Sequence, residues 1–365
     1  MRPDSQQENL LKKRIDLNTV VVLRWLRYML NPDSTAPDVT DWTHVFEFAR
    51  KQALTGICIP EACQESMPKS FLLGWIGQIQ MIEQRNRLIN KRIVQLFDMM
   101  EKDGFECCLL KGQGNALKYP NPLRRTPGDI DIWVKADQET AYRYVQSKFP
   151  NENASFKHIH FPIFNDVRVD VHVTPLKLYS HRNQKRLKHW IERHKEEQFA
   201  HHVTLSGVER TVSAPTDAFN AVYQMGHMLT HFFDEGLGLK QVVDYFYVLQ
   251  GLDSAEYQRI AETFRNLGML RFARALMWVE TEVLGLPSSN CIVEPNERLG
   301  KKVLDDILEG GNFGHHTQRF KGKQGFYNRG TAKTIRIMRL FKVAPRECGV
   351  RLLNKIGTAV RHTFK

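Results

Sequence analysis

Asp129 and Asp131 stand one residue apart in Gly128-Asp129-Ile130-Asp131-Ile132-Trp133-Val134, at the head of an apolar run. Alternate residues of a strand project from one face, so the two carboxylates converge while Ile130 and Ile132 turn into a core behind them. Two like charges so close repel each other, and a divalent cation held between them relieves the repulsion. Mg²⁺ takes oxygen ligands of this kind and usually shares them with substrate phosphates. A third carboxylate follows in Val167-Arg168-Val169-Asp170-Val171-His172-Val173. Its valines alternate strictly with Arg168, Asp170 and His172, the period of a strand with one buried and one polar face. If this strand lies beside the first, three carboxylates surround one or two Mg²⁺ ions, the arrangement that holds a nucleoside triphosphate for in-line attack.

Cations and glycines frame this cluster. Lys111-Gly112-Gln113-Gly114 sits where an apolar strand meets a helix, a position whose exposed N–H groups bind phosphate. Gly128 permits a close backbone approach. Lys111, and Arg125 from the loop Tyr119 to Pro127, are candidates to neutralise triphosphate oxygens; otherwise they are surface cations, or an arginine that ties its loop down. His172 shares the face of Asp170 and can orient a carboxylate or move a proton. His158 and His160 share one side of a strand beside the cluster. His227 and His231 are four apart on an expected helix, yet neither an HExxH pattern nor a third ligand accompanies them, so packing and hydrogen bonding near the cleft is their expected role.

The elements that must position these groups follow from hydrophobic period. Helical spacing runs over 15–30, 42–53 and 71–102, with Asp41 a candidate cap before Trp42. Strands are expected at 105–110, 130–135, 156–164 and 167–174, with a helix over 137–147. After Pro215 helical spacing returns, over 216–233, 239–250 and 255–284. The expected organisation is an N-terminal helical region over 1–103, a mixed α+β core over 104–212, a C-terminal helical domain over 213–318 and a basic, helical tail over 319–365.

Composition sets the outer limits. The chain has 365 residues, 42% hydrophobic and 25% charged, ordinary for a globular protein with about two cores. No run approaches the roughly 18 apolar residues of a membrane-spanning helix, so no transmembrane segment is expected. The first residues lack the apolar core of a signal peptide, and a cytoplasmic protein is the expectation. Six scattered cysteines without a CxxC pair read as reduced thiols. The net charge of +12 is concentrated: from Arg319 to Lys365 thirteen Lys and Arg face one acid, Glu347, while the rest of the chain holds 39 of each sign. Within that tail, Thr334 to Val343 mixes cations with apolar residues at helical intervals. Such a segment either packs on its own domain with a solvated basic face or meets an anionic membrane surface, nucleic acid or an acidic partner.

Leu110-Lys111-Gly112, then Tyr119-Pro120 and Arg125, then Gly128-Asp129-Ile130-Asp131, then Val169-Asp170-Val171-His172 resemble the uncharacterised bacterial nucleotidyltransferase family, related to the polymerase-β-type nucleotidyltransferases. The helix from Trp42, the His227-x-x-x-His231 pair and Gly238 to Asp244 extend the resemblance over most of residues 40–250. It implies a nucleotidyltransferase fold, a short mixed sheet flanked by helices. It also implies that Asp129 and Asp131 bind two Mg²⁺ ions and the NTP phosphates, and that Asp170 completes the site and helps to activate the attacking hydroxyl. Lys111, Gly112, Arg125 and Gly128 are then the nucleotide-binding candidates. The wider superfamily carries Gly-Gly or Gly-Ser before the acidic pair, where this chain has Gly112-Gln113 and a longer loop. The expected activity is transfer of a nucleoside monophosphate from an NTP to an unidentified acceptor, with release of pyrophosphate. The alternative is a low-turnover nucleotide-binding or interaction protein whose basic tail docks on membrane or nucleic acid.

Overall fold

The computed structural model describes residues 17–59, 67–151, 159–311 and 334–363, with side chains described up to residue 354. The chain opens with helices α1 (Leu17–Leu30), α2 (Trp42–Lys51) and α3 (Lys69–Lys102), followed by strand β1 (Cys107–Leu110) and the single-turn helix α4 (Gly112–Ala116). Next come β2 (Ile130–Val134), α5 (Gln138–Lys148), β3 (Ile159–His160), β4 (Val169–His172), α6 (His181–Ala200) and the hairpin β5 (His202–Thr204) and β6 (Thr211–Ser213). The remaining described residues are mainly helical: α7 (Asp217–Asp234), α8 (Leu239–Gln250), α9 (Tyr257–Asn266), α10 (Leu270–Trp278), α11 (Glu297–Gly310) and α12 (Pro345–Thr363). Local signals account for several boundaries. The Asp41 carboxylate accepts from the His44 N–H at 2.9 Å and starts α2. The helical spacing over 255–284 is broken at Gly268, whose φ of +74° favours glycine and where a Cβ would lie 2.5 Å from Asn183 Nδ2.

This is an α+β protein. Its four-stranded sheet has the order β1-β2-β4-β3, with β1 antiparallel to β2, β2 parallel to β4, and β3 antiparallel to β4. The strand period sorts the side chains. Ile130, Ile132, Val134, Val169 and Val171 enter a core with Ile89, Ile93, Leu96, Phe97 and Met100 of α3 and Ala141 and Val145 of α5. Asp131 and Trp133 take the other face. There the buried Trp133 ring lies 5.0 Å from Phe199 of α6 and 6.0 Å from Phe219 of α7, and Phe219 stacks on Trp190 at 4.6 Å. The helix α6, unexpected from the sequence, therefore covers the face that also carries the carboxylates. Its apolar residues are few (Leu187, Trp190, Ile191 and Phe199 are the buried ones), which hid its period among charges.

The chain forms two compact units, both discontinuous: residues 69–177 with 186–227, and residues 1–68 with 178–185 and 228–365. The first holds the sheet and takes the long helix α3, which the sequential division groups with the N-terminal helices. The second is built on buried aromatics such as Phe232 and Phe272, whose rings lie 5.4 Å apart. The basic tail enters this second unit over residues 334–354. The buried Glu347 accepts from the backbone N–H groups of Tyr179 at 2.8 Å and Ser180 at 3.2 Å, and Arg351 pairs with Asp234 and lies 3.8 Å from the Tyr179 ring. Residues 319–333, like His158, lie outside the described residues.

Candidate active site

The parallel pairing of β2 and β4 sets Asp131 directly opposite Asp170, and Asp129 precedes the same strand by one residue. One carboxylate oxygen from each of Asp129, Asp131 and Asp170 lies within 4.8 Å of the others. Asp131 and Asp170 are buried, whereas Asp129 is exposed. Three hard oxygen donors converging from adjacent strands match the ligand chemistry of a divalent cation such as Mg²⁺.

Cations balance the cluster. Lys111 Nζ lies 2.9 Å from Asp131 Oδ2, His172 Nε2 donates to Asp131 Oδ1 at 2.7 Å, and Arg168 Nε donates to Asp170 Oδ1 at 3.1 Å. Burial alone would raise the Asp131 pKa, but Lys111 and His172 overcome it and hold the carboxyl well below the usual range. Asp129 moves the other way. Desolvation, and then repulsion from Asp131, raise its pKa above the ordinary value. Burial likewise works to neutralise Lys111, and the Asp131 charge outweighs it, keeping the ammonium. Neighbouring acids thus differ in proton affinity because only one of them has two close cationic or hydrogen-bonding partners.

Lys111 is held in an uncommon conformation. Its φ and ψ are 52° and −140°, and Gly112 follows at φ 43°, so the chain reverses sharply between β1 and α4. A non-glycine residue there costs about 1–3 kcal/mol, which the surroundings must offset. The turn is pinned by polar contacts: Gln113 Nε2 donates to Asn90 Oδ1 at 2.7 Å, and Asn115 Oδ1 accepts from Gln224 at 2.9 Å and Asn220 at 3.2 Å. Gln113, the departure from the superfamily's glycine or serine, therefore serves as a tie to α3. Lys111 Nζ also donates to His227 Nε2 at 3.1 Å, and the buried Tyr223 ring lies 5.9 Å from that imidazole. His227 is thus in contact with the cluster's lysine, while His231 pairs with Glu235 at 3.0 Å.

The other expected residues fall nearby in sequence but differ in setting. Arg125 is buried and donates to the Thr126 carbonyl at 3.4 Å; its own carbonyl accepts from Asn86 Nδ2 at 2.8 Å, which fastens the loop to α3. Gly128 has open space where a Cβ would stand. His160 stands opposite Asp170 across β3 and β4, on its face of the sheet. Arg168 and Tyr223 are additions. The strand alternation around Asp170 already contains the signal for Arg168, whereas Tyr223 becomes visible only when α7 is folded onto the sheet.

A four-stranded mixed sheet thus carries a carboxylate triad beside a strand-to-helix turn. The sequence model of a family described as "Uncharacterised nucleotidyltransferase" matches residues 38–285, and the chain belongs to that family. Among solved structures, the crystal structure of an antigenic nucleotidyltransferase-like protein from Paracoccidioides brasiliensis is similar at 13% identity and a TM-score of 0.33, over 55% of this chain and 92% of that one. No curated protein matches the chain.

Proposed function

We propose that this protein transfers a nucleoside monophosphate from an NTP to an acceptor hydroxyl or phosphate and releases pyrophosphate. The observation that supports this most directly is the convergence of Asp129, Asp131 and Asp170 within 4.8 Å on adjacent strands, in a chain of the nucleotidyltransferase family. Asp129, Asp131 and Asp170 are the residues that would hold Mg²⁺. When bound, Mg²⁺ neutralises phosphate charge and orients the triphosphate.

The remaining work falls to the chain's own groups. His172 fixes the Asp131 carboxylate in orientation through its 2.7 Å bond. Lys111 lies on the Asp131 side of the cluster and supplies a permanent positive charge to phosphate oxygens, while the Gly112 turn presents the backbone beside it. Arg125 and Gly128 shape the loop that approaches the nucleotide. In the transfer, the acceptor oxygen bonds to the α-phosphorus, the bond from that phosphorus to the bridging oxygen breaks, and pyrophosphate leaves with the electron pair. The proton of an attacking hydroxyl passes to a carboxylate oxygen of Asp170. Positioning and charge neutralisation carry most of such a reaction.

The test is NTP-dependent pyrophosphate release in the presence of Mg²⁺, with each NTP in turn. Asp129→Asn and Asp131→Asn should each lower the rate by on the order of 10²–10³-fold or more, the scale of losing a group that stabilises transition-state charge. Release that survives both substitutions contradicts the mechanism.

A further inference from the structure

The described part of the basic tail carries exposed apolar side chains. Residues 334–339 are helical and the chain continues in turns to residue 343. Ile337, Leu340, Val343 and Ala344 are buried, and Arg336 points the same way, paired with Asp306 at Nε to Oδ1 3.1 Å. The opposite side is also apolar. Ile335 is 62% exposed, Met338 63% and Phe341 40%, at intervals of three residues that keep them on one side of a helical turn. A helix apolar on both sides buries one on its own unit and leaves the other for a second apolar medium.

Among the described residues 334–346, the charged side chains are all cations. Arg339, Lys342 and Arg346 are exposed, and exposed Arg271 donates to the Lys342 carbonyl at 2.8 Å, bringing a fourth cation to the same segment. The tail's one acid, Glu347, is turned inward and spent on the backbone of Tyr179 and Ser180. Arg336, Arg339 and Arg351 pair with Asp306 and Asp234, so part of the tail's excess charge is neutralised inside the unit and the outward cations remain.

We propose that the Ile335, Met338 and Phe341 surface, rimmed by Arg271, Lys342 and Arg346, docks the protein on an anionic lipid bilayer. The combination selects this partner. Nucleic acid would use the cations but gains little from exposed isoleucine and methionine, whereas a bilayer takes both: lipid phosphates meet the arginines and lysine while the apolar side chains enter the acyl boundary. The proposal stands independently of the transferase reading, because no residue of the carboxylate cluster takes part in it.

Flotation of the full chain with phosphatidylcholine vesicles, with and without phosphatidylserine, tests it. The wild type should float with the anionic vesicles and not with the neutral ones, and added salt should weaken the association. Replacing the two most exposed apolar residues together (Ile335→Ser, Met338→Ser) should weaken binding by about tenfold or more, with the fold retained by circular dichroism. A second variant, Lys342→Gln with Arg346→Gln, keeps the apolar side and should lose about fivefold per charge removed. Absence of flotation with anionic vesicles overturns the proposal, as does flotation that neither variant changes. Binding to duplex DNA or RNA that the apolar variant retains in full, with no lipid binding, assigns the surface to nucleic acid instead.

Discussion

Asp131, on the cation-lined face of the sheet, and Glu280, in the core of the helical unit, are both buried acids in opposite settings. Asp131 meets Lys111 at 2.9 Å and His172 at 2.7 Å, and these partners keep it ionised. Glu280 lies in a π-helical turn, Val279–Val283, and among the described residues neither of its carboxyl oxygens has a hydrogen-bond partner; burial pushes its pKa well above the ordinary value. The hydroxyl of Tyr245, whose own pKa is raised by burial and by Glu280, likewise has no hydrogen-bond partner among the described residues. Burial therefore does not by itself decide charge in this protein. Charge is retained where the sheet brings cations to the acid, and suppressed where helices bring only apolar surface.

If the sheet end depends on packing rather than on its ions for stability, the largest effect should come from the residue two positions past Asp131. Trp133→Ala removes a ring buried against Phe199 and Phe219, and should cost about 3–5 kcal/mol in urea unfolding. A loss below about 1 kcal/mol would assign the stability of this end to the ion pairs instead.

A smaller effect sharpens the other half of the comparison. The folded pKa of Glu280 lies above its unfolded value of about 4.3, so between the two the folded state holds a proton that the unfolded state has released. Stability then falls as pH rises, by about 1.4 kcal/mol per unit, beginning near the unfolded pKa and ending at the folded one. Glu280→Gln should remove this contribution, giving a flatter stability profile as pH rises above the unfolded value. Parallel profiles for wild type and variant would show that Glu280 is charged in the folded state.

Much of the sheet was legible because period carries it. The Val167 to Val173 alternation marks both the buried face and the line of Arg168, Asp170 and His172, and Asp41 marks the start of α2. What escaped depends on contacts far apart in sequence. Lys111 reads as a phosphate ligand in the chain, and folding shows that it is also the counter-ion of Asp131 and the donor to His227, 116 residues away. Gln113 reads as a departure from a glycine-rich pattern, and folding shows a tie to Asn90. The helix α6 escaped because four buried apolar residues in twenty leave little period to see. Arg125 illustrates the opposite limit: its type suggests phosphate, but its burial depends on α3 packing behind the loop.

The central claim, that Asp129, Asp131 and Asp170 form one divalent-cation site, is tested most directly by titrating the full chain with Mn²⁺ as a Mg²⁺ surrogate, with and without NTP, and following the free-ion signal by electron paramagnetic resonance. The wild type should bind the ion, and Asp129→Asn, Asp131→Asn and Asp170→Asn should each abolish or strongly weaken that binding while retaining the fold. Equal Mn²⁺ binding by the wild type and all three variants would contradict it.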